Sequence, residues 1–224
     1  MNNIDRLICE IDTGLRTLFA APHAQRPLPV VRSQQVEAVR QKTSSVQSQT
    51  LAAIDVNAEQ ESVRLMRINH TGEVCAQALY QGQAAVARRD ATRALLENAA
   101  QEERDHLIWC QLRLHELNGR SSRLAPFFYA GSFALGALTG LLGDKWSMGF
   151  LVETERQVEA HLGDHLKRLP EADVRSREIL EAMRADEIHH AQCGLEHGAA
   201  ELPAPAKAAM RGIAKVMTAT TYWI

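Results

Sequence analysis

The chain has 224 residues, 46% of them hydrophobic, with 25 basic and 27 acidic side chains and a net charge of −2. That is enough for one substantial core, and the near-neutral balance without a basic tail gives no electrostatic reason to expect a nucleic-acid partner. The four cysteines, Cys9, Cys75, Cys110 and Cys193, form no C-x-x-C pair, which argues against a disulfide framework or a thiolate zinc site and suits a reducing cytoplasm. The N-terminal MNNIDRLICEIDTGLRTLF has no basic region followed by an apolar run, so no secretory signal is read there.

In chain order, Ile4, Leu7, Ile8, Ile11, Leu15, Leu18 and Phe19 recur at spacings of three and four, which predicts an amphipathic helix over 4–19. Residues 21–50 carry Pro22, Pro27 and Pro29 and then a Gln/Ser/Thr-rich run, and read as a linker. The division expected is therefore an N-terminal helix and linker over 1–57 and a main domain over 58–224. The main domain is rich in Ala, Leu, Glu, Gln and Arg and shows no alternating strand pattern. Helices are expected over about 58–88, 90–117 (ending at Asn118-Gly119), 145–168 (before Pro170), 172–198 and 206–221. Between the second and third lies LAPFFYAGSFALGALTGLLG, residues 124–143, with no charge at all. The expected fold is all-α: a four-helix bundle of two hairpins joined by an apolar crossover, with an extra C-terminal helix.

Two E-x-x-H motifs occur, Glu103 with His106 and Glu187 with His190. On a helix, positions i and i+3 share a face, so each motif offers one carboxylate and one imidazole to a single metal. One such motif is a weak signal, but placement strengthens the pair. Glu103 lies 30 residues after Glu73, and Glu187 lies 32 residues after Glu155. Folding each hairpin antiparallel brings each pair to one height, and packing the hairpins face to face puts four carboxylates and two imidazoles at one level. Ferritin-like di-iron and di-manganese proteins use this layout: one Glu from each of two helices and Glu-x-x-His from each of the other two. The flanking residues, such as Met66, Leu107, Leu151 and Met183, belong to stripes that should be buried. Buried carboxylates need partners, and two divalent cations balance four of them. Oxygen and nitrogen ligands without thiolate suit iron or manganese.

Some positions stay open at this level. Glu153, Glu155 and Glu159 are all available from the third bundle helix. Asp105 and Asp186 read either as acceptors behind the ligands or as surface charges. His161 reads as a partly exposed histidine or a residue pointing to the site. Tyr80 reads as a core residue or a neighbour of the metals.

NHTGE at 69–73, ALYQGQ at 78–83, QEERDHL at 101–107, FALGALTGLLG at 133–143 and DEIHHAQCGLEHGA at 186–199 together resemble the demethoxyubiquinone hydroxylase family (3-demethoxyubiquinol 3-hydroxylase). The resemblance covers about 60–222. It implies a ferritin-like di-iron monooxygenase of ubiquinone biosynthesis, with two iron ions (Fe2+/Fe3+) per chain held by Glu73, Glu103, His106, Glu155, Glu187 and His190. It further implies a polyprenylated quinol as substrate, O2, and an external reductant. A homo-oligomer or other ubiquinone-biosynthesis proteins would be its protein partners.

The apolar stretch 124–143 has the length of a membrane span. Spanning would put the two halves of the site on opposite sides of the bilayer, so an interfacial segment is expected instead. The last helix adds Lys207, Arg211 and Lys215 beside Met210, Ile213, Val216 and Met217, with Tyr222 and Trp223 following. The expected location is peripheral, on the cytoplasmic side of the cell membrane. The competing readings are a non-catalytic iron-binding or ferroxidase protein of the same fold, a helical interaction protein whose glutamates only make salt bridges, and a dimanganese redox enzyme.

Overall fold

The computed structural model describes residues 12–18, 24–29 and 50–224, without the side chains of 50–55. The described elements are all helices: α1 (12–18), α2 (Thr50–Val86), α3 (Asp90–Glu116), α4 (Ala125–Leu141), α5 (Asp144–Arg168), α6 (Val174–Glu196) and α7 (Ala204–Thr221). Of the helix expected over 4–19, residues 12–18 are helical, and the remainder, with Cys9, lies outside the described residues. Of the expected linker, 24–29 is described, as irregular chain. α2 is longer than expected: it has 37 residues and starts at Thr50 rather than near 58. The stretch TLAAIDVNAE contains no Gly or Pro, so nothing in it stops the helix.

The bundle consists of α2, α3, α5 and α6. α2 packs on α3 and α5 on α6 as hairpins, and contacts between α2 and α5 and between α3 and α6 close the ring. α4 lies along α2 and touches α5, and α7 touches the same two helices. One side of the bundle is thus covered by α4 and α7, while residues 24–29 cross the opposite, α3/α6 side.

Local chemistry fixes the joints. Asn118 at φ 52° and the Gly119 N–H donating to Leu114 O at 2.8 Å end α3 where the Asn-Gly pair predicts. Asp173 caps α6 by accepting from Ser176 N at 2.9 Å and also accepts from Arg113 Nη2 at 2.8 Å. Asp144, at the start of α5, accepts from the backbone N–H of Arg88 and of Arg89, each at 3.0 Å. That one carboxylate ties the α2–α3 turn to the second hairpin.

The core has two large apolar clusters, one around Leu79, Tyr80, Leu96, Met148 and Leu151, the other around Leu65, Met66, Trp109, Leu162, Ile179 and Met183. Glu73, Glu103, Glu155 and Glu187 lie at the chain positions between them. The apolar crossover is α4, 17 residues long. A Cβ on Gly136 would fall 2.0 Å from Leu79 O, and one on Gly82 would fall 2.1 Å from Phe133 O. Glycine at both positions lets the two backbones touch. The outer side of α4 exposes Phe127, Leu138 and Leu141. No described helix is long and apolar enough to cross a membrane.

Candidate metal centre

α2 supplies Glu73, α3 supplies Glu103 and His106, α5 supplies Glu155, and α6 supplies Glu187 and His190. All six residues are buried, none more than 6% exposed. They converge into two overlapping groups: Glu73, Glu103, His106 and Glu187, and Glu103, Glu155, Glu187 and His190, with candidate ligand atoms in each group within 4.8 Å of one another. Glu103 and Glu187 belong to both, each offering one oxygen to each group. The arrangement is two neighbouring groups of candidate ligands sharing the glutamates of the two E-x-x-H motifs.

His106 Nδ1 lies 3.0 Å from Glu103 Oε2, 3.4 Å from Glu187 Oε1 and 3.8 Å from Glu73 Oε2. His190 Nδ1 lies 3.2 Å from Glu103 Oε1, 3.5 Å from Glu155 Oε1 and 3.7 Å from Glu187 Oε2. The far side of each ring meets another carboxylate: His106 Nε2 is 2.9 Å from Asp186 Oδ2, and His190 Nε2 is 2.8 Å from Glu102 Oε2. A neutral imidazole that donates from Nε2 presents a lone pair at Nδ1. Both rings then aim an acceptor at a set of acceptors, a geometry that a shared cation resolves. Each His is oriented by the residue preceding the Glu of the opposite motif, Asp186 before Glu187 and Glu102 before Glu103. Such carboxylate–histidine pairs commonly set the tautomer of a metal ligand.

The donor set fits a metal. Both oxygens of Glu155 and of Glu187, Glu103 Oε1 and His190 Nδ1 are buried without a hydrogen-bond partner in the protein. Groups of this kind cost several kcal/mol each when left alone, and a cation satisfies them together. Burial pushes Glu73 and Glu155 well above the ordinary carboxylate range, and the charges of Glu103 and Glu187 add to the rise. Burial would raise Glu103 too, but the neighbouring imidazoles of His106 and His190 outweigh it and hold that carboxyl low. Burial lowers both histidines, yet Asp186 and Glu103 at His106, and Glu102 and Glu103 at His190, raise them on balance. Protons thus compete with metal for the same atoms.

Contacts decide the positions that the sequence left open. Glu155, not its neighbours, enters the centre: Glu153 accepts from Gln157 Nε2 at 2.7 Å and pairs with Lys207 at 3.6 Å, and Glu159 accepts from Arg184 at 2.7 Å. His161 stacks on His165 with ring centroids 3.8 Å apart, away from both groups. Tyr80 belongs to the core cluster, and its fully buried hydroxyl sits in the field of Glu155, Glu103 and Glu187. Asp186 is the acceptor behind His106. Asp105 instead holds the crossing segment, accepting from Gln25 N at 2.8 Å and from Arg26 N at 3.1 Å. Sequence reasoning missed Glu102. The signal was there, an acidic residue directly before the Glu of each motif, EERDH and DEIHH.

Fold and centre together define a four-helix carboxylate bundle whose two Glu-x-x-His helices could hold metal between them. The sequence model of the family described as "Ubiquinone biosynthesis protein COQ7" matches residues 60–221. The chain belongs to that family. It is 51% identical over 224 residues to the 3-demethoxyubiquinol 3-hydroxylase of Nitrosomonas europaea, covering 100% of both chains. It is 52% identical over 221 residues to the protein of that name from Chromobacterium violaceum, 98% of each chain. With the Xanthomonas oryzae protein of the same name it shares 50% over 219 residues, 98% of this chain and 94% of the relative.

Proposed function

We propose that this chain is a 3-demethoxyubiquinol 3-hydroxylase that would hold two iron ions per chain, Glu73 and His106 serving one, Glu155 and His190 the other, and Glu103 and Glu187 available to both. The observation that carries the proposal is the sharing of Glu103 and Glu187 between two buried ligand groups. Charge supports it, because four carboxylates balance two ferrous ions. Bound iron would supply two-electron reduction and activation of O2. In the balanced reaction one ring C–H becomes C–OH, the second oxygen atom leaves as water, and an external reductant supplies two electrons with two protons.

The protein's own groups supply the rest. The two apolar clusters keep bulk water from the carboxylates. Asp186 and Glu102 hold the imidazoles with Nδ1 inward. Burial drives Glu73 and Glu155 toward the protonated form, so a cation would displace protons from them on binding.

In this reading the protein is peripheral on the cytoplasmic face of the cell membrane and a polyprenylated quinol enters from lipid; the exposed apolar residues support the contact with lipid. Phe127, Leu138, Leu141 and Leu142 on and just after α4, Trp146 on α5, and Ile213, Val216 and Trp223 on and after α7 expose large apolar surface on elements that pack on the α2/α5 side. The basic stripe on α7 is in part internal, since Lys207 pairs with Glu153 and Glu201, and Arg211 approaches Glu153 at 4.0 Å. Apolar burial is thus the larger contribution to docking. The test is metal analysis of the purified full chain with hydroxylation of a demethoxyquinol under 18O2. Two irons per chain and one labelled oxygen in the product are expected. Iron without labelled product would favour a ferroxidase, and absence of metal with full activity would end the proposal.

A further inference from the structure

The α3/α6 side of the bundle is crossed by residues 24–29, and one side chain there reaches the outer layer of the metal centre. Arg26 donates from Nη1 to Asp186 Oδ2 at 2.8 Å and from Nε to Asp105 Oδ2 at 3.3 Å. Its guanidinium lies 4.8 Å over the Trp109 ring, and that ring is 5.3 Å from the His106 ring. Its backbone is fixed as well: the N–H groups of Gln25 and Arg26 both donate to Asp105. Arg26 thus touches the imidazole twice over: through Asp186 Oδ2, which lies 2.9 Å from His106 Nε2, and directly, with Arg26 Nη2 3.2 Å from the same nitrogen. Asp105 is on α3 and Asp186 on α6, so the guanidinium also bridges the two helices that carry the E-x-x-H motifs.

The second position has no such clamp. The side chain of Glu102, which orients His190, is 44% exposed; among the described residues no Lys or Arg comes within 4.0 Å of it, and the charge of Arg26 acts on it without a hydrogen bond.

We infer that Arg26 is a positioning residue for one of the two metal positions, the one served by His106. It fixes Asp186, and through Asp186 the orientation of the imidazole, so the two positions have unequal supporting structure. Arg26 lies outside the family-matched region 60–221 but inside the full-length alignment to the Nitrosomonas europaea relative. The inference rests on the two-metal reading above. A planar fork suits a group that must bond two carboxylates on different helices, whereas a lysine offers one point charge.

The test is Co(II) titration of metal-free full-length protein, followed by its visible absorption, in two backgrounds: Glu155→Gln, which leaves the His106 position, and Glu73→Gln, which leaves the His190 position. Adding Arg26→Gln is expected to weaken Co(II) binding about 10–100-fold in the first background and little in the second. Arg26→Lys is expected to restore part of the loss. No weakening in either background, or equal weakening in both, overturns the inference. So does loss of helical circular dichroism in Arg26→Gln, which would make Arg26 a residue of the fold. If the unmutated protein binds no Co(II), the two-metal reading fails first and takes this inference with it. Two ions bound normally by both unmutated and Arg26→Gln protein would sink the inference alone.

Discussion

Asp186 accepts a hydrogen bond from His106 at 2.9 Å, although the two residues are 80 positions apart and lie in different E-x-x-H motifs. The mirror relation holds between Glu102 and His190 at 2.8 Å. Each motif thus brings a glutamate common to both ligand groups, an imidazole and the acceptor that orients the other motif's imidazole. The two halves of the site are interlocked and not merely adjacent, and the consequences can be measured.

Ligands should differ in how much metal their loss removes. Glu103→Gln or Glu187→Gln touches both positions and is expected to reduce iron toward none, whereas Glu73→Gln or Glu155→Gln should leave about one ion per chain. Hydroxylation should fall roughly 100-fold or more in all four. Iron analysis beside a turnover assay checks this, and two ions retained in Glu187→Gln would contradict it.

The orienting carboxylates should matter through affinity. Asp186→Asn and Glu102→Gln keep the volume of the side chain and weaken its acceptor. Each is expected to lower metal affinity about 10–100-fold while the helical content stays unchanged. Competition with a chelator of known strength measures the change.

The contact of α4 on α2 leaves no room for a methyl group. Gly136→Ala would drive a Cβ to 2.0 Å from Leu79 O, a backbone atom that cannot swing aside. A loss of about 1–3 kcal/mol or more is expected, read as a drop in Tm. Gly131→Ala, on the same helix with nothing within 4 Å of the added Cβ, is the control that should cost little.

Acid should destabilise the fold through its buried histidines. Burial holds His70 at about 4. Burial lowers His165 to about 2, assisted by the charges of His161 and Arg168. Both folded values lie below the unfolded value of about 6.5, so the unfolded chain binds more protons between them. Stability is full above about 6.5 and is lost as pH falls toward 4. Replacing His165, which sits 2.8 Å from Asn69 Oδ1, with Gln should flatten the Tm profile between pH 6.5 and 4 even if Tm at pH 7 is lower.

The apolar face should govern lipid binding. Leu138→Glu with Val216→Glu places two charges on exposed positions of α4 and α7. Vesicle binding is expected to fall at least about tenfold, from the loss of two buried aliphatic groups. Turnover of a short-chain quinol in detergent should persist. Equal binding by the double variant would place the membrane contact elsewhere.

Much of this was legible in the residues. The 30- and 32-residue separations within Glu73–Glu103 and Glu155–Glu187 are hairpin arithmetic; with the two E-x-x-H motifs they pointed to Glu73, Glu103, His106, Glu187 and His190 and to Glu155 as one of three candidates for the sixth residue that meets them. Asn118-Gly119 marked the end of α3 because an Asn tolerates the positive φ that the turn needs. Other features were not legible. The start of α2 at Thr50 rather than near 58 has no marker in the residues, because TLAAIDVNAE holds neither a clear cap nor a breaker. Choosing Glu155 over Glu153 and Glu159 needed Lys207 and Arg184, charges from elsewhere in the chain that engage the other two.

The sequence by itself determined the helices, their order and the depth of each ligand in the bundle, because those follow from the helical repeat and the length of each hairpin. Only the tertiary structure decided which carboxylates are shared, which acid stands behind which histidine, and that Arg26 reaches the centre. These depend on how two hairpins and a distant segment dock, and a docking angle is set by packing between side chains far apart in the chain, where no local spacing records it.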